Sequence, residues 1–208
     1  LLRRSFDGGR APAKAWFVPA VLLYPAVVTA SYLLLRLTGT ALPDARISLA
    51  PTLLLAAGFF VAALCEELGW SGYATPPLRD RWGGLGAGLL LGGFWAVWHW
   101  PALLQVGRPV AWIAWWSLHT VALRVIMVWL FGRMGGSVLA MTLFHASVNL
   151  AWQLFPVQGS HFDMPLVASL IAGVALAITL AEALAARRRR PARTGRVTHP
   201  TGRRKRLA

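Results

Sequence analysis

The chain contains a single cysteine, Cys65, so no intrachain disulfide can form. Acidic residues are also scarce, since seven Asp and Glu stand against 21 Lys and Arg. Only 13% of the residues are charged, whereas about 25% are charged in soluble domains. The composition therefore argues against a soluble domain, and Cys65 is expected to be a small apolar filler in a helix rather than a nucleophile.

Long apolar segments take the place of charge, and 57% of the residues are hydrophobic. A helix of about 20 apolar residues crosses a bilayer core of about 30 Å. We therefore predict an all-α, polytopic transmembrane helix bundle of about six spans. The predicted spans are 16–37, 50–75, 84–104, 110–132, 136–155 and 164–186.

The net charge of +14 is concentrated at the two ends of the chain. We assign 1–15 as a basic cytoplasmic tail, 16–186 as the transmembrane core and 187–208 as a basic, disordered cytoplasmic tail. The loops on the same side as the tails carry Arg79, Arg81 and Arg133, so the positive-inside rule puts both termini in the cytoplasm. The expected location is a bacterial plasma membrane, and the expected partner of the tails is anionic membrane lipid rather than nucleic acid.

Pro76-Pro77 is expected to end the second span, because the residue before a proline disfavours the helical conformation. The second and third spans would then form a hairpin with a short turn at 76–83. The chain begins at Leu1 without Met, and we expect it to be part of a longer protein whose first segment is missing.

Two adjacent glutamates, Glu66 and Glu67, fall inside the second predicted span. An ionised side chain at the centre of a bilayer costs roughly 2.5–3.5 kcal/mol even on insertion scales. Such a residue is protonated, paired or bound to a cation, and it is a functional-site candidate by default.

Three later polar residues, His99, His145 and Asn149, also fall inside predicted spans. From the cytoplasmic side, Glu66 should lie about 18 Å deep, His99 about 22 Å and His145 about 14 Å, at 1.5 Å per helical residue. Asn149 follows His145 on the same helix face. The sequence therefore predicts that these side chains meet in one cavity.

This combination of groups is typical of hydrolytic sites. A desolvated glutamate acts as a general base on water, and an Asn amide donates to an oxyanion. Glu66, His99 and His145 would also suit one divalent metal such as zinc. A metal-free glutamate mechanism is equally compatible with the residues, so the choice stays open. No His-Glu-x-x-His zinc motif occurs in the chain.

Each polar residue also has a purely structural interpretation. His119 and Asn149 are candidates for helix–helix hydrogen bonds. Glu66 and Glu67 are candidates for a structural ion pair with Arg124, an unusual charge inside the fourth span. A structural role explains each residue alone better than it explains the combination.

The motifs resemble those of the CPBP (Abi) family, membrane endopeptidases related to the eukaryotic CAAX prenyl protease. The family pattern is Glu-Glu-x-x-x-Arg, Phe-x-x-x-His and His-x-x-x-Asn or Asp on separate spans. The chain reads Glu66-Glu67-Leu-Gly-Trp-Ser71, Trp95-Ala-Val-Trp-His99 and His145-Ala-Ser-Val-Asn149. The resemblance covers roughly 50–155.

The resemblance implies an endopeptidase that cuts a membrane-associated peptide or prenylated protein near the cytoplasmic interface. Glu66 would activate water, His99 and His145 would position it or hold a metal, and Asn149 would stabilise the oxyanion. Glu67 would support them.

The chain departs from the family pattern at two positions, where Ser71 replaces Arg and Trp95 replaces Phe. Loss of the Arg removes a cation and its bidentate donors. We hypothesise that Arg124 on the fourth span substitutes for it.

Two other functions remain as alternatives. One is a non-enzymatic membrane protein of the same family, acting in self-immunity or as a scaffold, which the missing Arg favours. The other is an ion or proton transporter, although no internal repeat and no matching pair of broken spans is visible.

Overall fold

The computed structural model describes residues 11–189, which form six α-helices and no β-strand. A short 3₁₀ helix, Ala11–Trp16, leads into the first α-helix. The helices are α1 (Phe17–Leu37), α2 (Leu49–Glu67), α3 (Thr75–Gln105), α4 (Val110–Arg133), α5 (Val138–Leu154) and α6 (Met164–Arg189). The predicted all-α bundle is confirmed, whereas most of the predicted tails 1–15 and 187–208 lies outside the described residues.

Four stretches of the described chain are long and apolar enough to cross a membrane: Lys14–Leu37, Leu49–Gln105, Val110–Arg133 and Met164–Arg188. The second has 57 residues and would measure about 85 Å as one straight helix, far more than a bilayer core of about 30 Å. It comprises α2, a π-helix at Leu68–Ala74, and α3. With α5, a shorter apolar helix, the six predicted spans match the six helices, and the protein is an integral membrane bundle.

Pro76 and Pro77 do not end the second predicted span. Pro76 and Pro77 lie in the first turn of α3, where a missing backbone N–H leaves no bond unmade. The helical path breaks instead at Gly83, with φ 69° and ψ 177°, a conformation that essentially only glycine adopts. The predicted turn at 76–83 is therefore helical until its last residue.

The arms of the predicted hairpin pack against different neighbours. α2 packs mainly against α5, whereas α3 packs mainly against α4. Gly88 and Gly92 permit the close approach of α3 to α4, because a Cβ atom at either would lie 2.8 Å from a Cα atom of α4. The two arms of the predicted hairpin do meet beyond the end of α2, because Trp70 of the π-helix contacts Trp98 of α3 at 6.0 Å between ring centroids, across the break at Gly83.

α4 lies at the centre of the bundle, between α3 and α6, and most of its second half is buried. The main apolar core joins it to α1, α5 and α6 through residues such as Tyr24, Ile126, Phe144 and Ile171. Two capping side chains help to define the last helices. Ser137 accepts from the backbone N–H of Ala140, and Asp163 accepts from that of Leu166.

Candidate active site

Glu67 is the polar centre of the bundle, and its side chain is fully buried at the end of α2. Arg124 on α4 donates from Nη1 to Oε2 at 2.9 Å and from Nη2 to Oε1 at 3.0 Å. The Ser71 hydroxyl donates to Oε2, and Nδ1 of His145 on α5 lies 3.1 Å from Oε1. This bidentate, charge-assisted pairing compensates the carboxylate for its loss of water.

The π-helix that follows Glu67 directs the next side chains of the site. π-helical turns occur frequently at functional sites. Ser71 lies within this segment and reaches Glu67, whereas the indole of Trp70 turns to Glu66. The Thr75 hydroxyl donates to the carbonyl of Trp70 at 2.8 Å at the end of the segment.

Arg124 brings the cation that the motif lacks at position 71. Its side chain is fully buried, and its guanidinium carbon lies 4.3 Å from the ring centroid of Trp95 and 6.0 Å from that of Trp70. Aromatic faces attract such a cation electrostatically. The structure thus confirms the hypothesised pairing of Arg124 with Glu67, while its effect on activity stays a prediction.

Each of the two histidines is held by a contact at its Nδ1 atom. Nδ1 of His145 faces the Glu67 carboxylate, and Nδ1 of His99 lies 2.8 Å from the backbone carbonyl of Trp95. The carboxylate and the carbonyl only accept hydrogen bonds, so Nδ1 of each ring carries the proton. Nε2 of each ring therefore has a lone pair that can accept a hydrogen bond. The ring centroids lie 5.7 Å (His99) and 5.0 Å (His145) from that of Trp95.

Glu66 occupies different surroundings from its neighbour. It is half-buried, and its contact is with Trp70, whose indole nitrogen lies 3.4 Å from Oε2. The Trp70 ring in turn contacts Trp98, which adjoins His99, at 6.0 Å between centroids. Cys65, the residue before Glu66 in the sequence, is exposed.

The predicted residues are therefore only partly brought together. Glu67 and His145 are hydrogen-bonded, and both histidines contact Trp95. Asn149 is half-buried on α5, and its amide makes no hydrogen bond within the described residues. In the same range, Glu66 makes no hydrogen bond to either histidine.

A metal fits this arrangement poorly. Among the described residues, no three His, Cys, Asp or Glu side chains lie together in a group that could hold a metal ion. Zinc takes at least three protein ligands in catalytic sites. The Nε2 atoms of His99 and His145 are suitable metal ligands, but both oxygens of Glu67 are already bonded to Arg124. No reaction step is therefore assigned to a metal.

Three contacts of the site were not foreseen from the sequence. The motif shows Ser71 only in place of Arg, although its spacing of four residues from Glu67 puts the two on one helix face. The motif shows Trp95 only in place of Phe, and no spacing indicates that it contacts His145 as well as His99. The Glu66–Trp70 contact has the same four-residue spacing.

A model of the type II CAAX prenyl endopeptidase Rce1-like family matches residues 48–151, which is half of the chain. The chain belongs to this family. The matched range runs from the start of α2 into α5 and contains all five predicted site residues. The predicted membership of the CAAX protease group is thus confirmed.

One relative of this Rce1-like chain is CAAX prenyl protease 2 from Methanococcus maripaludis. The two are 29% identical over 157 residues, which cover 67% of this chain and 57% of the relative. The chain thus spans little more than half the length of that protein. The match supports a CAAX-protease-like function in general terms.

Proposed function

We propose that the protein is a membrane endopeptidase that hydrolyses a peptide bond in a membrane-associated or prenylated substrate. The observation that carries the proposal is the contrast between two glutamates of α2. Glu67 is saturated by three partners and presents His145 in a defined tautomer, whereas Glu66 has one long contact. The family match and the name of the archaeal relative support the same reaction class.

Glu66 is the general base in the proposed reaction. It accepts a proton from water while the water oxygen bonds to the scissile carbonyl carbon. That water has one further hydrogen, which the Nε2 atoms of His99 and His145 share as acceptors, and this contact orients the molecule. The carboxyl of Glu66 then returns the proton to the leaving nitrogen as the C–N bond breaks, giving a carboxylic acid and an amine and regenerating the Glu66 carboxylate.

Asn149 has a separate proposed role in this scheme. Its side-chain amide carries two donors, and it is half-buried one turn after His145 on α5. A donor at that place stabilises the negative oxygen that forms when water adds to the carbonyl group.

The location that we propose is a bacterial plasma membrane, with both termini cytoplasmic.

The test uses the full chain in nanodiscs with a set of prenylated and membrane-tethered peptides. Glu66→Gln should abolish cleavage, whereas Asp80→Asn, which removes an exposed carboxylate of α3, should leave it unchanged. Cleavage assayed with and without a chelator shows independently whether the reaction needs a metal ion. No cleavage by a folded wild-type protein, or equal cleavage by Glu66→Gln, would transfer the assignment to a non-enzymatic immunity or scaffold protein.

A further inference from the structure

Four buried side-chain nitrogens have no hydrogen-bond partner among the described residues. They are Nε1 of Trp95, Nε1 of Trp116, Nδ1 of His119 and Nε of Arg124. The exposed fractions of these residues are 5%, 8%, 1% and 0%. Buried indole and guanidinium N–H groups normally find an acceptor, because an unpaired donor is costly. Each buried atom of this kind needs a physical explanation.

The four side chains belong to one continuous series of contacts along the seam between α3 and α4. Arg124 lies over Trp95, whose ring contacts His99; His99 contacts Trp116 at 5.8 Å, and Trp116 contacts His119 at 5.6 Å. At the far end, Nε2 of His119 lies 2.9 Å from the hydroxyl of Tyr24 on α1. This last contact confirms the predicted helix–helix bond of His119.

We propose that these nitrogens hold internal water along the α3–α4 seam, next to His99. The inference deepens the proposed function, since the water is the reactant of the hydrolysis. A helix bundle surrounded by hydrocarbon receives no water from the lipid around it. Internal water typically makes about three hydrogen bonds to otherwise unpaired buried groups.

The hydrogen-bonding capacities of the groups match that occupant. Trp95 and Trp116 each offer an indole N–H beside the His99 ring. Nδ1 of His99 is used by a backbone carbonyl, so its Nε2 is an acceptor. A water oxygen accepts from an indole N–H and donates to Nε2, which satisfies groups that the protein itself leaves unpaired.

The kinetic test replaces each indole with a ring that lacks the N–H. Trp95→Phe and Trp116→Phe should each lower kcat by about tenfold, the size of one lost hydrogen bond, with KM unchanged. Trp100→Phe is the matched control, because the Trp100 indole is exposed and already donates to Ser117 at 3.0 Å. Wild-type kcat in both Phe variants of the seam would overturn the proposal.

A second readout does not depend on activity. In nanodiscs with 15N-labelled tryptophan, magnetisation transfer from water should reach the indole N–H signals of Trp95 and Trp116, assigned by their loss in the Phe variants. Absence of transfer would overturn the proposal. Transfer that appears only with peptide bound would also overturn it, because the water would then enter with the substrate rather than reside in the protein.

The two readouts separate the two proposals. Wet indoles in a protein that cleaves no peptide would remove the endopeptidase assignment and leave the internal water in place. Dry indoles in a protein with Glu66-dependent cleavage would remove the water proposal alone.

Discussion

Glu66 and Glu67 are consecutive residues of one helix, yet they lie in opposite surroundings. Glu67 faces Arg124 of α4 and His145 of α5, and together with Ser71 of the following π-helix these side chains bind both of its oxygens. Glu66 faces an aromatic region, is only half-buried, and has a single contact at 3.4 Å. Both oxygens of the first carboxylate are therefore engaged by donors, whereas among the described residues the second receives only the long contact from Trp70.

The comparison also separates stability from activity. A buried carboxylate that is bonded to a buried guanidinium is part of the packing of α2, α4 and α5. A half-buried carboxylate with one indole partner contributes little to that packing. Substitutions at the two positions should therefore differ in kind as well as in size.

The largest expected effect is on activity. Glu66→Gln should lower kcat/KM by about 10²–10⁴, the range of a lost general base, while the melting temperature stays within error. Peptide cleavage and thermal unfolding in the same detergent would measure both quantities. A large drop in melting temperature would break the distinction between the two glutamates.

The next effect is on stability. Glu67→Ala leaves Arg124 buried without its carboxylate, which should cost about 3–5 kcal/mol of unfolding free energy. Glu66→Ala is the matched control and should cost about 1 kcal/mol or less, as for a site without buried partners. Equal losses in the two variants would mean that both carboxylates are structural.

The position of the cation offers a sharper test. Arg124→Met should destabilise the bundle, and adding Ser71→Arg should recover about 1.5–3 kcal/mol by returning a charged donor to Glu67 from its own helix. Ser71→Arg alone, with two guanidinium groups at one carboxylate, is the control and should be less stable than wild type. Failure of the double variant to recover stability or cleavage would show that Arg124 has a role beyond pairing.

A smaller effect is expected from a single donor. Ser71→Ala removes one hydrogen bond to Glu67 while Arg124 and His145 remain, so the loss should be about 1–2 kcal/mol. Thr52→Ala, which removes an exposed hydroxyl from the same apolar segment, serves as the comparison. A larger loss than that of Glu67→Ala would contradict the assigned hierarchy.

The smallest effect should lie far from both carboxylates. Asp163 caps the first turn of α6, and Asp163→Ala should cost about 1 kcal/mol without changing kcat. Unfolding and cleavage assays of this variant measure how far a general loss of stability lowers activity. A marked loss of kcat would mean that activity follows stability rather than the contacts of Glu66.

The sequence was sufficient for the helices but not for their packing. Apolar length predicted six helices, and each has a counterpart in the structure. The predicted hairpin forms with its turn at Gly83, but which other helices its arms contact depends on side-chain shape along the whole bundle. Gly88 and Gly92 show this, since only the structure reveals which helix they admit.

The candidate site shows a similar limit. The ion pair could be hypothesised because Arg124 is a rare cation inside a span and Glu67 needs a partner there. The division of labour between Glu66 and Glu67 could not, because two adjacent residues with the same chemistry differ only in what they face. Spacing placed Trp95 near His99 but gave no sign of its contact with His145, on another helix.

The single cysteine of the chain gives direct experimental access to the part of α2 beside Glu66. Cys65 is exposed and immediately precedes Glu66, and no other thiol competes for a label. A nitroxide attached there without any mutation would report, through collisions with oxygen or with a water-soluble nickel complex, whether this face meets lipid or water. The native sequence thus offers a unique site for a label that measures solvent access, one residue from the proposed base.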